Sequence, residues 1–467
     1  MKMWSGRFRQ PLDTAFERWQ RSFPFDCCLL PYELEASAAH AKALEHAGVL
    51  SSEELAKTLR GLEQIAEKAQ IDPKFLDDSE AEDVHHFVEK QLVALIGETG
   101  YKLHSGRSRN EQIATDLRLY VRDAIDRLQL ALADWMGALL ERAQKAGTAA
   151  MPAYTHLQRA EPVLVGHWLL AYIEMFLRDS ERLADCRKRV NVCPLGSGAV
   201  AGATLELDRE AMAADLGFDA PTANSLDATS DRDFALEFVQ ALAVMAVHLS
   251  RWAEEMIRFS TQEYGFIALP ESYSTGSSAM PQKKNPDLLE LVRGKAGRIA
   301  GAEQALLVTI KGLPLAYNKD LQETQEPLFD ASQTILAILP LATGWMQDVE
   351  FDYERMKQAA QGGFMNAWAA ATYLVQRGVP SRLAHEAVGK AVRLCLDRGC
   401  ELQDLPVEEL QQIHPAFDRD FAKNVTLDAV LSIHDVPGGT AGDAVKEALA
   451  RAEQRISKVR GEVHAHA

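Results

Sequence analysis

The sequence predicts an all-α protein of three helical domains, and three observations support this prediction. The chain has 467 residues, which at roughly 100–200 residues per domain allows two to four domains. It is 47% hydrophobic and 25% charged, a balance typical of globular rather than disordered proteins. Apolar residues recur with helical spacing over segments longer than the mean helix of about 11–12 residues. No alternating strand pattern of any length competes with this spacing.

The clearest helical pattern begins at Asp116. Apolar residues then follow at spacings of four and three, on one face of a helix, at Leu117, Val121, Ala124, Leu128, Leu132, Trp135 and Leu139. Similar segments cover about 161–191, 232–260, 286–311 and 326–347. Together these segments predict a bundle of five long helices, residues 104–350, as the central domain.

Shorter helices are predicted on both sides of this bundle. Residues 1–103 form the predicted N-terminal domain, and residues 351–467 form the predicted C-terminal domain. Proline and glycine interrupt the helical pattern within them, at Asp72-Pro73, Gly362-Gly363, Pro380 and Pro437-Gly438-Gly439.

Charge and hydropathy argue against several classes of function. The net charge of −17 argues against nonspecific nucleic-acid binding, which depends on neutralising phosphates. The most apolar stretch, residues 163–177, is interrupted by His167 and Glu174 and is shorter than the ~20 residues of a membrane span. The N-terminus has no apolar secretory signal, and the six cysteines do not form a zinc-binding pattern. We therefore expect a cytoplasmic protein with no metal and with no membrane or nucleic-acid partner.

Two polar segments precede predicted long helices. HSGRSRNEQ (104–112) contains two arginines, a histidine and an asparagine, which either cap the helix or bind an anion at its N-terminus. YTHLQRAEP (154–162) contains His156. A lone histidine in a loop is either an ordinary surface residue or a group for proton transfer near neutral pH.

The strongest functional signal is the loop STGSSAMPQKKNP (274–286). Its Gly-Ser-Ser turn is followed by Lys283, Lys284 and Asn285, which offer donors to a carboxylate or an oxyanion. A serine there can act as a nucleophile or a base if cations and amides stabilise its alkoxide. Hydrolase chemistry is the weaker interpretation, because the chain has no GxSxG elbow. The alternative interpretation, a flexible Gly/Ser linker with solvated lysines, does not explain why Met-Pro and Asn-Pro stand at the two ends of the segment.

GSSAMPQKKNP resembles the signature of the fumarase/aspartase superfamily, whose members eliminate fumarate from succinyl compounds. Within it, the chain resembles the argininosuccinate lyase family over nearly its whole length. The supporting segments are MWSGRF (3–8), EDVHHFVEKQL (82–92), HSGRSRNEQIATD (104–116), YTHLQRAEP (154–162), PLGSGAVAG (194–202), DATSDRDF (227–234), GLPLAYNKDLQE (312–323) and VPGGTAGDAV (436–445). HSGRSRN and YNKDLQE are specific to this branch.

This resemblance implies a reversible, cofactor-free cleavage of argininosuccinate to arginine and fumarate, the last step of arginine biosynthesis. The elimination removes a weakly acidic proton beside a carboxylate and builds a doubly charged aci-carboxylate before the C–N bond breaks. Cations and hydrogen-bond donors aimed at that carboxylate are the main requirement. The basic clusters at 107–109, 232 and 283–284 agree with it.

The resemblance also assigns roles to individual residues. The implied catalytic residues are His156, Ser277 and Lys283: Ser277 takes the carbon-bound proton, Lys283 favours the serine alkoxide, and His156 protonates the departing nitrogen. Which of His156 and Ser277 is the acid and which is the base stays open. The implied substrate-binding residues are Ser22, Arg109, Asn110, Thr155, Gln158, Arg232, Asn285, Tyr317 and Gln322.

Two positions depart from the family pattern. Cys28 stands where the family usually has arginine, and Gln325 stands where it usually has lysine. The missing lysine removes a carboxylate contact that Arg232 or another group must replace. We expect these changes to affect affinity and stability more than the type of reaction.

The family architecture implies three helical domains whose long central helices pack with those of other copies into a homotetramer. Each active site is then built by three subunits, which contribute the segments 104–112, 154–162 and 274–286.

Two alternatives stay open at this point. Another superfamily lyase, such as adenylosuccinate lyase, would need a phosphate site, and the sequence has no phosphate-binding glycine loop. A non-catalytic, crystallin-like relative would be favoured by loss of His156 or of the Gly-Ser-Ser loop, and neither is lost.

Overall fold

The computed structural model describes residues 10–466, with side chains up to His464. The segment MWSGRF (3–8) lies outside the described residues. Within them the chain is mainly helical, with twenty α-helices and four two-stranded sheets. The all-α prediction is therefore confirmed.

The chain divides into two compact units, each made of three stretches. The first unit contains Met1–Arg127, Arg182–Ala243 and Gly297–Thr334, and the second contains Leu128–Glu181, Val244–Ala296 and Ile335–Ala467. These limits fall within the long helices, so each of those helices contributes residues to both units. The domain limits predicted near 103 and 350 stay a prediction.

Short and medium helices form the N-terminal part of the chain. They are α1 (Thr14–Trp19), α2 (Phe23–Asp26), α3 (Leu30–His46), α4 (Ser52–Ile71), α5 (Val84–Ile96) and α6 (Thr99–Lys102). A capping box starts α4, because the Ser51 side chain accepts from the Glu54 amide and the Glu54 side chain accepts from the Ser51 amide. Helix α4 ends just before Asp72-Pro73, as predicted.

The five long helices are close to their predicted bounds. They and the two short helices among them are α7 (Arg109–Ala146), α8 (Val165–Val190), α9 (Arg209–Asp215), α10 (Ser225–Ala228), α11 (Asp233–Phe259), α12 (Asp287–Ile310) and α13 (Gln325–Asp348). The seven residues of the predicted stripe on α7 are at most 2% exposed. Burial of this stripe explains why the helical period could be read from the sequence.

The polar segment 154–162, predicted to precede a long helix, is part of a β-hairpin. β1 (Ala150–Thr155) pairs antiparallel with β2 (Gln158–Leu164), and α8 consequently begins at Val165 rather than near 161. The turn residues His156 and Leu157 have φ of +53° and +59°. Both lie in the left-handed region, where a hairpin turn usually has asparagine or glycine. The turn therefore carried no recognisable sequence signal.

The other strands are only two residues long. β3 (Val192–Cys193) pairs parallel with β4 (Ala220–Pro221), β5 (Ile267–Ala268) pairs antiparallel with β8 (Glu350–Phe351), and β6 (Thr275–Gly276) pairs antiparallel with β7 (Lys284–Asn285). The segments 191–204 and 263–286, which lie between helices, thus contain strands that take part in short pairings.

The remaining helices follow the last strand. They are α14 (Tyr353–Gln361), α15 (Ala367–Gln376), α16 (Ser381–Arg398), α17 (Val407–Ile413), α18 (Phe421–Asn424), α19 (Leu427–Ser432) and α20 (Gly442–His466). The predicted breaks at 362–363, 380 and 437–439 all lie between these helices.

Helix α11 is long and apolar enough to cross a membrane by length and composition. Half of its most apolar window is buried inside the protein, and the core helix of a globular protein passes the same test.

Three buried tryptophans lie in the core of the second unit. The ring centroid of Trp252 lies 4.8 Å from that of Trp135 and 5.3 Å from that of Trp345, and both contacts are edge-to-face. All three side chains are 0% exposed. Such aromatic contacts add to the stabilisation that burial itself gives.

We predict that Trp252→Ala lowers the free energy of unfolding by about 3–5 kcal/mol, because it removes the middle ring and leaves a cavity. The matched control is Trp368→Ala on α15, whose side chain is 63% exposed. We expect it to cost less than about 1 kcal/mol. Chemical denaturation measures both, and equal losses would contradict the prediction.

Candidate active site

A cavity of about 160 Å³ in the first unit is lined by five of the expected substrate-binding residues: Ser22, Arg109, Asn110, Tyr317 and Gln322. Ser22 precedes α2, and Arg109 and Asn110 lie in the first turn of α7. The Gln322 amide Nε2 donates to the carbonyl oxygen of Gln20 at 3.2 Å. This bond joins two segments that are distant in sequence, and sequence reasoning did not anticipate it.

The cavity wall is rich in carboxylates that sequence reasoning did not single out: Asp26, Glu82 and Asp83. Nη1 of Arg109 lies 3.1 Å from a carboxylate oxygen of Asp83 and 3.5 Å from one of Glu82. Lys319 also lines the cavity. Glu82 and Asp83 belong to the segment EDVHHF, whereas Asp26 stands in no recognisable motif. A wall with this charge suits the cationic end of a ligand.

Asp26 is buried beneath this wall, at 1% exposure. One of its carboxylate oxygens accepts from the Val84 amide at 3.1 Å. Burial, together with the negative charge of Asp83, raises the pKa of Asp26 from 3.8 to about 7. The carboxyl group therefore titrates close to neutral pH.

His85 lines the same cavity and is fixed from behind by Glu33. Nδ1 of His85 lies 2.8 Å from Oε2 of Glu33. The other carboxylate oxygen of Glu33, Oε1, accepts from Ser37 Oγ at 2.8 Å. Although burial opposes the shift, His85 lowers the pKa of Glu33 to about 2. Burial of the His85 imidazole lowers its pKa, but the neighbouring Glu33 raises it, and the pKa of His85 is raised overall. The two side chains form a buried ion pair.

Asp116 completes this buried cluster, with Oδ2 at 3.6 Å from Nδ1 of His85. Its carboxylate oxygens have no hydrogen-bond partner among the described residues. Burial and the charge of Glu33 raise the pKa of Asp116 well above the ordinary value. Glu33, His85 and Asp116 have the residue types and the spacing, within 4.8 Å, of a metal site, but the hydrogen bonds of Glu33 already occupy its oxygens.

Arg232, expected to bind substrate, does not line this cavity. It is 1% exposed, and its Nη1 donates to the carbonyl oxygen of Asp231 at 2.7 Å. Nε and Nη2 have no partner in the described part of the chain. Burial lowers the pKa of Arg232 to about 10, and Tyr317 opposes this shift.

The β1–β2 hairpin of the second unit presents Thr155, His156 and Gln158 at its exposed tip. Left-handed backbone at a residue other than glycine costs about 1–3 kcal/mol and is common at functional sites. The hairpin is fastened by Arg159, whose Nη1 donates to the carbonyl oxygen of Ala359 on α14 at 3.2 Å. The imidazole of His156 is thus held on a defined turn.

Residues 263–286 of the second unit, here called the serine loop, carry Ser277. Its Oγ accepts from the amides of Ala279 at 3.3 Å and Met280 at 3.1 Å. Two amide dipoles directed at one oxygen favour negative charge on it. The local turn therefore suits Ser277 to act as an alkoxide base.

Pairing of β6 with β7 closes the serine loop and places Asn285 opposite Thr275. Both the amide and the hydroxyl of Thr275 donate to Oδ2 of Asp287, at 3.1 and 2.6 Å. These bonds lower the pKa of Asp287, a residue that sequence reasoning did not single out. Lys283 is exposed beyond the turn, whereas Lys284 donates to the carbonyl oxygen of Leu269 at 3.2 Å.

The two departures from the family pattern lie in the first unit. Gln325 lines the cavity at 4% exposure, and its Oε1 has no partner among the described residues. Cys28 is half-buried, and its Sγ lies 3.3 Å from the carbonyl oxygen of Phe25. Burial raises the pKa of Cys28 to about 12, so the thiol stays protonated.

We predict that the Asp26→Asn variant loses less folding stability than the wild type when the pH is raised from 5 to 8. The folded chain keeps the Asp26 proton up to about pH 7, whereas an unfolded chain releases it near 3.8. Between these values stability falls as the pH rises. The wild type should therefore lose at least about 1 kcal/mol more than the variant, in chemical denaturation at both pH values. Equal losses would refute this account of Asp26.

Comparison with protein-family models gives two matches. A lyase family model matches residues 6–301, and a model described as argininosuccinate lyase C-terminal matches residues 364–432.

Curated relatives match over almost the whole chain. The argininosuccinate lyase of Koribacter versatilis is 59% identical over 463 residues, covering 99% of both chains. That of Acidobacterium capsulatum is 59% identical over 460 residues, covering 97% of this chain and 95% of its own. Among solved structures, EDDS lyase in complex with formate superposes with a TM-score of 0.85 at 28% identity, covering 98% of this chain and 93% of its own.

Family models that span most of the sequence and relatives at this level of identity agree with the resemblance carried by GSSAMPQKKNP, HSGRSRN and YNKDLQE. The chain belongs to the argininosuccinate lyase family of the fumarase/aspartase superfamily.

Proposed function

We propose that the chain catalyses the reversible elimination of argininosuccinate to arginine and fumarate, without a cofactor. The observation that carries this proposal is the turn at Ser277, where two backbone amides point at a serine oxygen inside the family's signature loop. The names of the relatives from Koribacter and Acidobacterium support the same substrate. We place the reaction in the cytoplasm, as the last step of arginine biosynthesis.

The reaction begins with removal of a proton from the succinyl carbon beside a carboxylate. In our proposal Ser277 takes this proton as an alkoxide, which the Ala279 and Met280 amides stabilise. The electron pair moves onto the neighbouring carboxylate, and Lys283 and Asn285 hold the charge that develops there. Such groups accelerate the reaction because they bind the transition state more strongly than the substrate.

The second step breaks the C–N bond. The electron pair returns to form the double bond of fumarate, and the guanidino nitrogen leaves with the arginine product. His156 supplies the proton to that nitrogen, and Thr155 and Gln158 support it on the same hairpin. The opposite assignment of acid and base to His156 and Ser277 uses the same groups.

We assign the arginine end of the substrate to the cavity of the first unit. Its carboxylates, Asp26, Glu82 and Asp83, suit the ammonium and guanidinium groups of that end. Tyr317 and Gln322 offer donors and acceptors on the same wall. Arg109 is held by Glu82 and Asp83 and offers donors to a carboxylate.

We further propose that four copies assemble and that each active site combines residues of three copies. Large apolar side chains on three long helices are exposed in the isolated chain: Val244 and Val247 on α11, Leu307 and Val308 on α12, and Leu341 on α13. Exposed apolar side chains that another copy covers are removed from water on association, which favours assembly. We propose that this assembly also brings the exposed His156 and the serine loop to the cavities of other copies.

The reaction and the substrate are tested together by fumarate release from purified protein. We predict fumarate and arginine in equal amounts from argininosuccinate, and no fumarate from adenylosuccinate or malate. Release from adenylosuccinate instead would keep the chemistry and change the substrate. A folded protein inactive on all three would favour the non-catalytic alternative.

The base is tested by Ser277→Ala, with Ser278→Ala as the matched control. We predict that Ser277→Ala lowers kcat by at least about a thousandfold, because it removes the oxygen that takes the proton in our proposal. Substrate binding should change little, and Ser278→Ala should lose much less activity. If Ser278→Ala loses much more activity than Ser277→Ala, the base is Ser278 instead.

Shared active sites are tested with two inactive variants, His156→Asn and Ser277→Ala. After mixing and reassembly, some sites of a hybrid tetramer would contain both wild-type side chains, so we predict partial recovery of activity. Each variant reassembled alone is the control. Sedimentation should give about four times the chain mass of 51.6 kDa. Hybrid tetramers without recovered activity would contradict the shared site.

A further inference from the structure

The serine loop contacts α13 at a glycine. Tyr273 ends the short 3₁₀ turn Glu271–Tyr273 and lies against Gly344, which is inside α13. A Cβ atom at position 344 would lie 2.1 Å from the Tyr273 hydroxyl oxygen and 3.2 Å from Cζ. The tyrosine therefore occupies space that exists only because residue 344 has no side chain.

Glycine in a helix interior destabilises the helix by about 1 kcal/mol relative to alanine. Such a glycine usually has a packing reason. For Gly344 that reason is the approach of Tyr273, since no other atom lies as close to the Cβ position. The helix thus carries an unfavourable residue at the point where the serine loop meets it.

A second contact joins the same loop to the same face of α13. The hydroxyl of Ser272 lies 3.3 Å from Oδ2 of Asp348 and donates to it. Gly344 and Asp348 are four residues apart, so they lie above one another on the helix surface. Two neighbouring loop residues, Ser272 and Tyr273, are therefore fixed against one strip of the helix.

The distance along the chain from this contact to the reacting oxygen is short. Tyr273 precedes Ser277 by four residues, and two of the residues between them, Thr275 and Gly276, are paired with Asn285 and Lys284. If the Tyr273 side chain moves and its backbone follows, the shift reaches a paired segment with little freedom to absorb it.

We propose that Tyr273 and Gly344 form a positioning contact that sets where the Ser277 turn lies. This inference rests on the proposed function, because the contact affects the reaction only if Ser277 is a catalytic residue. Neither residue touches the reacting atoms. Misplacement of a catalytic group by about 1 Å costs up to about a hundredfold in rate, so the contact should affect turnover.

The test is Gly344→Ala, which improves the helix propensity of α13 but pushes Tyr273 away. We expect kcat to fall by about tenfold or more, with a much smaller change in KM, an unchanged assembly and no loss of thermal stability. Gly389→Ala on α16 is the matched control, because nothing lies within 4 Å of its Cβ position. It should leave kcat unchanged.

The second arm is the double variant Gly344→Ala with Tyr273→Phe. Removal of the hydroxyl eliminates the 2.1 Å contact and leaves Cζ at 3.2 Å, so kcat should recover a large part of its loss. Recovery is a result that simple damage to α13 would not give. An unchanged kcat in Gly344→Ala, or a double variant no better than the single one, would overturn the inference.

Ser277→Ala in the same assay separates the two proposals. If Ser277→Ala keeps near-normal turnover, the assigned role of Ser277 fails and the positioning inference falls with it. If Ser277→Ala is inactive and Gly344→Ala has normal turnover, the positioning inference alone is wrong.

Discussion

Burial of continuous apolar stripes on the long helices is the constraint on which the other features of the chain depend. On α7 the stripe residues are at most 2% exposed, and a polar side chain there would lose its hydration without gaining a partner. The groups to which we assign binding or proton transfer therefore lie at helix ends and between helices. Arg109 lies in the first turn of α7, His156 on a hairpin tip and Ser277 in a loop.

The same constraint explains how charge is arranged beneath the cavity of the first unit. A single buried charge is costly, whereas Glu33 and His85 at 2.8 Å neutralise each other and share further hydrogen bonds. Burial and the negative charge of Glu33 raise the pKa of Asp116 beside this pair, because both disfavour a second carboxylate charge there. Beneath the cavity wall the buried charges thus form a mutually neutralised pair, and Asp26 is a carboxyl group of the cavity whose charge changes near neutrality.

Sequence reasoning succeeded where a periodic pattern reports burial and failed where single residues act through space. Four of the long helices were predicted within a few residues of their bounds, and α7 extends seven residues beyond each end of its predicted pattern. Each buried face repeats its signal over many turns. The hairpin at His156 was missed because its turn has no glycine or asparagine. The site residues followed from the resemblance. Asp26, His85 and Lys319 join the cavity only through folding, and a single carboxylate, histidine or lysine has no period to detect.

The cavity wall also explains how the chain accommodates glutamine at position 325. That side chain is 4% exposed, and burying an ammonium group there would cost more than burying an amide. Arg232 cannot supply the missing cation to the wall, because it does not line the cavity and is itself buried. Lys319 does line it, six residues earlier in the same segment. The wall therefore keeps a lysine charge without a buried lysine at position 325, and the unpartnered Oε1 of Gln325 adds an acceptor. Glu82 and Asp83 lie beside Arg109 in this wall, and their carboxylates are the groups that suit a positively charged ligand end.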